Sequence, residues 1–179
     1  MRKILLGGLI ISSLFACKSP EARRPISVKG GSFIDESIAR NATLFQAEKE
    51  QFQNIIDKNP NQKYLASQSG FWYTYNKQIA SDSLPKPDYG DIVVFDYDVK
   101  SLSGIQIYSE SETKPDRYVM DQQELFTGLR EGLKLMKAGE TVTFLFPSSK
   151  AYGYYGDENK IGTNIPLICK VTVHSITEN

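Results

Sequence analysis

The residues best suited to chemistry in this chain are aromatic and aliphatic, and they are concentrated between positions 89 and 173. Their spacing favours a single small pocket with apolar walls. The chain has no G-x-S-x-G motif, no P-loop and no H-E-x-x-H motif, and its one histidine leaves little room for a catalytic triad. The pattern therefore indicates chemistry that works through binding rather than through a nucleophile. Four segments carry it: VVFDY at 93–97, ELFTGLREG at 124–132, PSSKAYG at 147–153 and IGTNIPL at 161–167.

In order and content, these segments resemble the FKBP-type (macrolide-binding) peptidyl-prolyl isomerases, and the resemblance covers roughly the last half of the chain. It implies an isomerase that speeds rotation about the peptide bond before proline. The rotational barrier of about 18–20 kcal/mol comes from amide resonance, which the half-rotated bond has lost. Because the rotated form is less polar than the planar amide, an apolar pocket stabilises it by differential binding. Aromatic walls and one or two hydrogen-bond donors suffice, without a cofactor.

The resemblance also assigns roles position by position. Tyr97 matches a wall tyrosine, and Tyr152 matches the tyrosine whose hydroxyl donates to a bound carbonyl. Phe126 follows Leu125 at the paired positions whose backbone donates to a ligand. The implied catalytic residues are thus Tyr97, Phe126 and Tyr152, and the implied substrate-binding residues are Ile107, Leu125, Leu129 and Ile161.

Four positions depart from the family pattern and are expected to widen or soften the pocket. Tyr108 stands where an acidic residue is common, Gly162-Thr163 where two prolines are common, and Cys169 where a phenylalanine narrows the inner end. A non-catalytic alternative therefore stays open: a chaperone that holds proline-containing segments, or a docking module of an envelope complex.

For each aromatic residue, ordinary core packing is the alternative to a role in the pocket. The loop position of Tyr152, between an alanine and a glycine, favours function. The charged residues of the second segment are interpreted as solvated charges on a helix face; they are Glu124, Arg130 and Glu131.

The elements that must position these residues begin at Gly70, where the hydrophobic period becomes two. One helical segment, 122–136, interrupts the strands. The predicted fold is α+β: a bent antiparallel sheet wrapped around one short helix, over residues 70–179, preceded by an amphipathic helix. The strands are predicted at 71–75, 92–99, 105–109, 118–120, 141–146 and 167–176.

The first seventeen residues predict export and a lipid anchor. Arg2 and Lys3 precede an apolar run at 4–15, which is shorter than the about 20 residues that span a bilayer. The ending Leu-Phe-Ala-Cys resembles a bacterial lipobox, so we expect a signal peptide at 1–16 and a lipidated Cys17 that binds the membrane. The alternative is a plain secretory signal. The expected location is the cell envelope, facing the periplasm.

Residues 17–31 predict a tether, and 32–60 predict one amphipathic helix that ends before Pro60. Its apolar stripe either packs on the chain's own sheet or mediates self-association. Because every pocket segment lies after residue 89, we expect this helix to be dispensable for turnover of a small peptide. The stripe consists of Ile34, Ile38, Ala42, Phe45, Phe52 and Ile56.

Composition excludes other classes of function. Acidic and basic residues balance at 21 each, and loss of Arg2 and Lys3 with the signal leaves two more acids than bases, which does not favour nucleic acid. One histidine and two cysteines make a metal or redox site improbable. Cys169 is predicted to be a small buried hydrophobe.

The layout of tether, single helix and carboxy-terminal domain is also similar to the gliding-motility-associated lipoprotein isomerases of the Bacteroidetes, as is the segment GFWYTYNK at 70–77. This narrower resemblance implies exported or envelope polypeptides as clients, including components of the gliding machinery.

Overall fold

The computed structural model of the chain describes residues 30–81, 83–113 and 117–179. Cys17, the predicted signal peptide and nearly all of the predicted tether lie outside the described residues. The first described element is helix α1, Gly30–Lys58, which begins two residues before the predicted start. The chain divides into two structural units within this helix, between Ile38 and Ala39.

Helix α1 has both exposed and buried apolar side chains. In the first unit, Phe33, Ile34 and Ile38 are exposed. In the second unit, Phe52 is fully buried and its ring lies 5.3 Å from that of Trp72, centroid to centroid. The amino-terminal part of the apolar stripe is therefore exposed. In the second unit, the carboxy-terminal part packs on the sheet through Phe52.

The sheet is antiparallel throughout the described part of the chain, as the period of two predicts. Strands β2 and β6 are central to one half of it, and β3 and β7 form its longest pair. The strand order is β1-β2-β6-β7-β3-β4, with β5 paired to β3. The strands are β1 Leu65–Ala66, β2 Trp72–Lys77, β3 Ile92–Ser101, β4 Gln106–Tyr108, β5 Tyr118–Val119, β6 Thr141–Phe146 and β7 Leu167–Thr177.

Irregularities in register bend the sheet. Strand β3 shifts register against β7 between Val94 and Phe95, and β2 shifts against β6 between Tyr75 and Lys77. Such bulges kink a strand and increase its twist. The bend brings the core faces of β3, β6 and β7 around one short helix, α3 (Thr127–Leu133), which confirms the predicted fold class.

Helix α3 is shorter than predicted. The periodicity predicts a helix over 122–136, but α3 starts only at Thr127 because Phe126 is extended, with ψ of 144°. Beyond Leu133 the chain tightens into i to i+3 turns, with the Met136 N–H donating to the Leu133 carbonyl over 2.9 Å. Residues 122–126 thus form a loop, of which Leu125 and Phe126 pack against the core without being helical.

Two further short helices were not predicted. Helix α2, Glu110–Thr113, follows β4, and a 3₁₀ turn, Ser148–Lys150, follows β6. Both are single turns too short for a hydrophobic period. The 3₁₀ turn leads directly into Ala151 and Tyr152, which line the cavity described below.

The core lies between α3 and the inner face of the sheet. Leu129, Leu133 and Met136 have no solvent exposure and pack among the inward residues of the strands. Cys169 is buried and unpaired in β7, as predicted. Among residues 30–81, 83–113 and 117–179, no helix is long and apolar enough to cross a membrane, and no group of three or more His, Cys, Asp or Glu side chains is arranged to hold a metal ion.

Candidate active site

One open cavity of about 620 Å³ lies beside the amino-terminal end of α3. Its size falls in the range of about 300–1,000 Å³ that is typical of ligand pockets. Four of the seven predicted site residues meet there: Tyr97, Leu125, Phe126 and Tyr152. The other residues that line it are Gln123, Glu124, Arg130 and Ala151.

Tyr97 reaches the cavity because of the alternation in β3. Val93, Phe95, Tyr97 and Val99 all face the core, and the Tyr97 ring stacks beside Phe95 with centroids 5.7 Å apart. Only 7% of Tyr97 is exposed. Burial, followed by the neighbouring phenol of Tyr152, raises the pKa of Tyr97. The hydroxyl therefore stays protonated at neutral pH and can donate.

Phe126 owes its position to the late start of α3. As the extended residue before the helix, it turns its ring toward the cavity and contacts Tyr152 and Phe146, with centroid distances of 5.2 Å and 5.4 Å. Its carbonyl accepts from the Arg130 N–H, whereas its own N–H has no partner among the described residues. A helical Phe126 would place this N–H differently, so the shortened helix itself creates a backbone donor at the cavity.

Tyr152 belongs to a segment that we call the tyrosine loop, residues 147–153. The loop can lie close to α3 because Gly128 has no side chain. A Cβ at this position would come within 2.8 Å of the Lys150 carbonyl oxygen, so only glycine permits this approach. The Tyr152 hydroxyl has no hydrogen-bond partner within the described residues. Burial, then the charge of Asp157, raises its pKa to about 12. It is a neutral, available donor.

The remaining three predicted wall residues do not line the cavity directly. Leu129 is fully buried in α3, and Ile161 is 3% exposed; both belong to the core cluster. Ile107, in β4, is half-buried and packs against the same cluster. All three therefore belong to, or pack against, the core cluster that Phe126 and Tyr152 also contact.

Ile161 is held by a carboxylate that the sequence did not identify. We call residues 156–164 the flap. The Ile161 N–H donates to Asp157 Oδ1 over 2.7 Å, and the Asp157 N–H donates to the Ile161 carbonyl over 3.0 Å. The other Asp157 oxygen accepts from the Tyr108 hydroxyl. Burial of Asp157 opposes ionisation, but these hydrogen bonds outweigh it and lower the pKa of its carboxyl.

Tyr108 therefore joins the flap to β4. Its hydroxyl also accepts from Asn159 Nδ2 over 3.0 Å, and Lys160 Nζ lies 4.6 Å from its ring centroid. Lys160 in turn pairs with Glu112 of α2 over 2.5 Å. Together Tyr108, Asp157, Lys160 and Glu112 form a polar network that holds a flap lacking the usual prolines. The role of Asp157 could have been inferred from the sequence, because an acidic residue stands a few positions before the flap isoleucine, Ile161.

Arg130 corrects the interpretation of the helix-face charges. Glu124 is exposed, as expected, but Arg130 is half-buried and lines the cavity. Its Nε lies 3.4 Å from Asp121 Oδ1 and makes no hydrogen bond among the described residues. Glu131 is half-buried and pairs with Lys134 over 3.3 Å. The face is thus part of the pocket border rather than fully solvated.

The chemistry open to this site is recognition without bond cleavage. The walls are aromatic, the phenols of Tyr97 and Tyr152 are kept neutral by burial, and the Phe126 N–H faces no internal acceptor among the described residues. Burial likewise raises the pKa of the Cys169 thiol, followed by the charge of Asp98. A protonated, fully buried thiol is a poor nucleophile.

Comparison with known families gives a direct match. Residues 85–174 match the family model of the FKBP-type peptidyl-prolyl cis-trans isomerases, half of the chain. A curated relative, the probable FKBP-type peptidyl-prolyl cis-trans isomerase FkpA of Neisseria meningitidis serogroup B, is 27% identical over 142 residues. That alignment covers 79% of this chain and 51% of the relative, so the chain spans about half the length of the curated relative it matches.

Two solved structures share the fold. A peptidyl-prolyl cis-trans isomerase from Pseudomonas syringae pv. tomato superposes with a TM-score of 0.59 at 23% identity, covering 76% of this chain and 96% of that one. FkpA from Escherichia coli superposes with a TM-score of 0.57 at 21% identity, covering 99% of this chain and 82% of that one. At these identities the likeness establishes the fold.

Proposed function

Because this chain belongs to the FKBP-type peptidyl-prolyl cis-trans isomerase family, we propose that it catalyses cis–trans isomerisation of Xaa–Pro peptide bonds in polypeptide clients. The observation that carries the proposal is the convergence of Tyr97, Phe126 and Tyr152 on one cavity. They supply apolar walls together with a hydroxyl and an N–H that have no partner among the described residues.

In this mechanism the proline ring sits between the rings of Tyr97 and Phe126. Leu125, the half-buried Ile107 and the buried residues Leu129 and Ile161 keep these walls in place. Since the twisted amide has lost its resonance and part of its polarity, the apolar walls bind it better than the planar amide. The Tyr152 hydroxyl and the Phe126 N–H donate to the client's carbonyl oxygens and fix the chain on either side of the rotating bond. No proton or bond is transferred.

The flap is held in place even though its sequence departs from the family pattern. Gly162-Thr163 lacks the stiffness of two prolines, but Asp157 fixes Ile161 through its backbone N–H. Cys169 is smaller than phenylalanine and lies opposite Val99 and Phe144 in the sheet. The flap is therefore held by hydrogen bonds where the family commonly has two prolines, and Cys169 is part of the fully buried core.

A protease-coupled assay with short Xaa–Pro peptides tests the proposal. We expect turnover by the wild-type protein, and loss of most of it in Phe126→Ala, which removes the wall between Tyr152 and Phe146. Binding of proline-containing peptides without acceleration of isomerisation would instead support the holding module, the alternative that Cys169 and Gly162-Thr163 favour.

We propose further that the protein acts in the cell envelope, anchored through lipidated Cys17 and facing the periplasm. The basic Arg2-Lys3 pair, the short apolar run and the Leu-Phe-Ala-Cys ending support this location. Cys17→Ser should move the protein from the detergent phase to the aqueous phase on detergent phase partitioning. An unchanged detergent fraction would rule out the anchor.

The clients we propose are exported or envelope polypeptides, including components of a gliding machinery. Support for the latter is the resemblance in layout and in the segment at 70–77, so the test must be genetic. A deletion strain complemented with the wild type, but not with a turnover-deficient variant, should regain colony spreading. Normal spreading of the deletion strain would remove motility from the proposal.

Self-association through α1 is the last element of this proposal. Phe33, Ile34 and Ile38 are exposed in the first unit, which favours burial against a second copy of the chain. Sedimentation analysis should show a dimer that Ile34→Ser with Ile38→Ser converts to a monomer. A wild-type monomer at all concentrations would contradict it.

A further inference from the structure

One acidic residue of α1 is almost completely buried, although it borders an open cavity of about 330 Å³ that Ser148 also lines. Glu48 is 2% exposed, and its Oε2 accepts a hydrogen bond from the Ser148 N–H over 3.1 Å. Ser148 is 1% exposed and lies 100 positions later in the chain. Glu48 also lies outside residues 85–174, which match the family model, so the contact adds something that the family domain does not contain.

Ser148 is the residue on which the tyrosine loop is built. It opens the 3₁₀ turn Ser148–Lys150. Its carbonyl accepts from the Ala151 N–H over 3.1 Å and from the Gly153 N–H over 2.8 Å. These two donors flank Tyr152 on both sides. Any shift of Ser148 is therefore transmitted to the backbone on either side of the Tyr152 ring.

Phe52 provides the apolar anchor that keeps Glu48 in place. The two residues are four positions apart in a helix and lie on the same face. Phe52 is fully buried against Trp72 of β2, so the helix has an apolar contact with the sheet that does not involve Glu48. The carboxylate adds a directed bond to a contact that is otherwise hydrophobic.

A carboxylate is a poor choice for stability at this position. Its Oε1 has no hydrogen-bond partner among the described residues, and a buried, incompletely satisfied acid is costly compared with an apolar side chain of similar size. The Ser148 N–H, however, heads a helical turn and has no partner within that turn. The Glu48 carboxylate accepts a hydrogen bond from this N–H and fixes the direction of the turn. The presence of an acid here is therefore better explained by its effect on the position of the loop than by a gain in stability.

We propose that Glu48 is a positioning residue for catalysis, which acts through Ser148 to hold the Tyr152 hydroxyl at the cavity. This inference rests on the proposed isomerase function. It makes the second-unit part of α1 a component of the catalytic scaffold. The proposal and the expectation that the helix is dispensable for peptide turnover make opposite predictions, because the proposal makes the pocket depend on a residue before position 89.

The experiment compares Glu48→Met, which removes the acceptor and keeps the length, with Glu48→Gln, which keeps an acceptor for the Ser148 N–H. Glu50→Met, at an exposed position of the same helix, is the matched control. Trp72 is the single tryptophan and contacts Phe52, so its fluorescence reports whether the helix stays docked.

In full-length protein with unchanged Trp72 fluorescence, Glu48→Met should lower kcat/KM by about three- to tenfold, whereas Glu48→Gln and Glu50→Met should stay within about twofold of wild type. In a Tyr152→Phe background, Glu48→Met should have a smaller effect, because both changes affect the same hydroxyl. Wild-type kcat/KM in Glu48→Met, or fully multiplicative effects in the double variant, would overturn the proposal.

A readout independent of turnover separates this inference from the proposed function. In NMR spectra, Glu48→Met should shift the Gly153 amide and the Tyr152 ring resonances, whereas Glu50→Met should leave both unchanged. If the shifts are seen but the protein has no isomerase activity, the proposed function and the catalytic role of Glu48 are both refuted. The structural link from Glu48 through Ser148 to Tyr152 would still be supported. Should Glu48→Met change the Trp72 fluorescence, Glu48 acts by docking the helix and the positioning role is wrong.

Discussion

The tyrosine loop lines the cavity with Ala151 and Tyr152, whereas the flap packs Ile161 into the core cluster. The two segments are held by different kinds of interaction. The tyrosine loop is fixed by buried contacts: the close approach of Gly128 to the Lys150 carbonyl and the bond from Ser148 to Glu48. The flap is fixed by a partly exposed polar network around Asp157. Salt screens buried contacts much less than it screens exposed ion pairs. The donor at the pocket is thus held rigidly, and the flap can respond to solution conditions.

The largest effect on this comparison should come from Gly156 in the flap. It has φ of +71°, and a Cβ there would lie 2.2 Å from the Ile161 carbonyl oxygen. Gly156→Ala should therefore cost at least about 1–3 kcal/mol in strain and displace Ile161, lowering both the melting temperature and kcat/KM.

Gly104→Ala is the control for that variant. Gly104 has φ of +85°, but nothing lies within 4 Å of its added Cβ, so it carries backbone strain without a clash. It should lower stability slightly and leave turnover unchanged. Equal losses of kcat/KM in the two variants would show that strain alone, rather than displacement of the flap, explains the effect.

The next effect concerns the carboxylate of the flap. Asp157→Ala removes the acceptor for the Ile161 N–H and for Tyr108, and bonds to a charged group are worth about 1.5–3 kcal/mol each. We expect KM for a short Xaa–Pro peptide to rise by about tenfold or more, with a smaller change in kcat because Tyr152 is untouched. Tyr108→Phe removes one of these bonds and should raise KM less. An unchanged KM in Asp157→Ala would show that the flap does not contact the client.

Tyr152→Phe isolates the donor of the other loop. One neutral hydrogen bond is worth about 0.5–1.5 kcal/mol, so kcat/KM should fall by roughly 2- to 12-fold. The melting temperature should scarcely change, because the hydroxyl has no partner within the described residues and the ring remains against Phe126. Loss of stability with normal turnover would identify Tyr152 as a packing residue.

The smallest effect should be the pH response of the flap. The pKa of Asp157 is lowered from 3.8, so its contribution to stability is present above that value and is lost as pH falls through the lower folded pKa. Burial, then the bond to Asp157, raises the pKa of Tyr108 above 10.0, so its contribution is present below 10.0 and is lost as pH rises through the folded pKa. Between these limits kcat/KM should be flat, and Asp157→Ala should abolish the acid limb of the KM profile.

Several features of the site were predictable because they depend on local patterns. Alternation in β3 places Tyr97 on the core face, and the segments at 124–132 and 147–153 carry Phe126 and Tyr152 to one cavity. The apolar period misplaced the start of α3, since it does not distinguish a helix from an extended loop whose side chains face the same core. Arg130 was misassigned for the same reason: a helix face borders either solvent or a cavity, and periodicity does not separate the two.

The sequence by itself determined the fold class, the core and the aromatic composition of the pocket, because alternation and helical spacing encode which side chains turn inward. Only the tertiary structure decided which polar groups meet. Glu48 reaches Ser148 across 100 positions, and Tyr108 reaches Asp157 across 49. A hydrogen bond requires placement to within a few tenths of an ångström, and that placement results from the packing of α1, the sheet and α3 together. Hydrophobic burial tolerates far looser geometry, and for that reason it can be inferred from residue types alone.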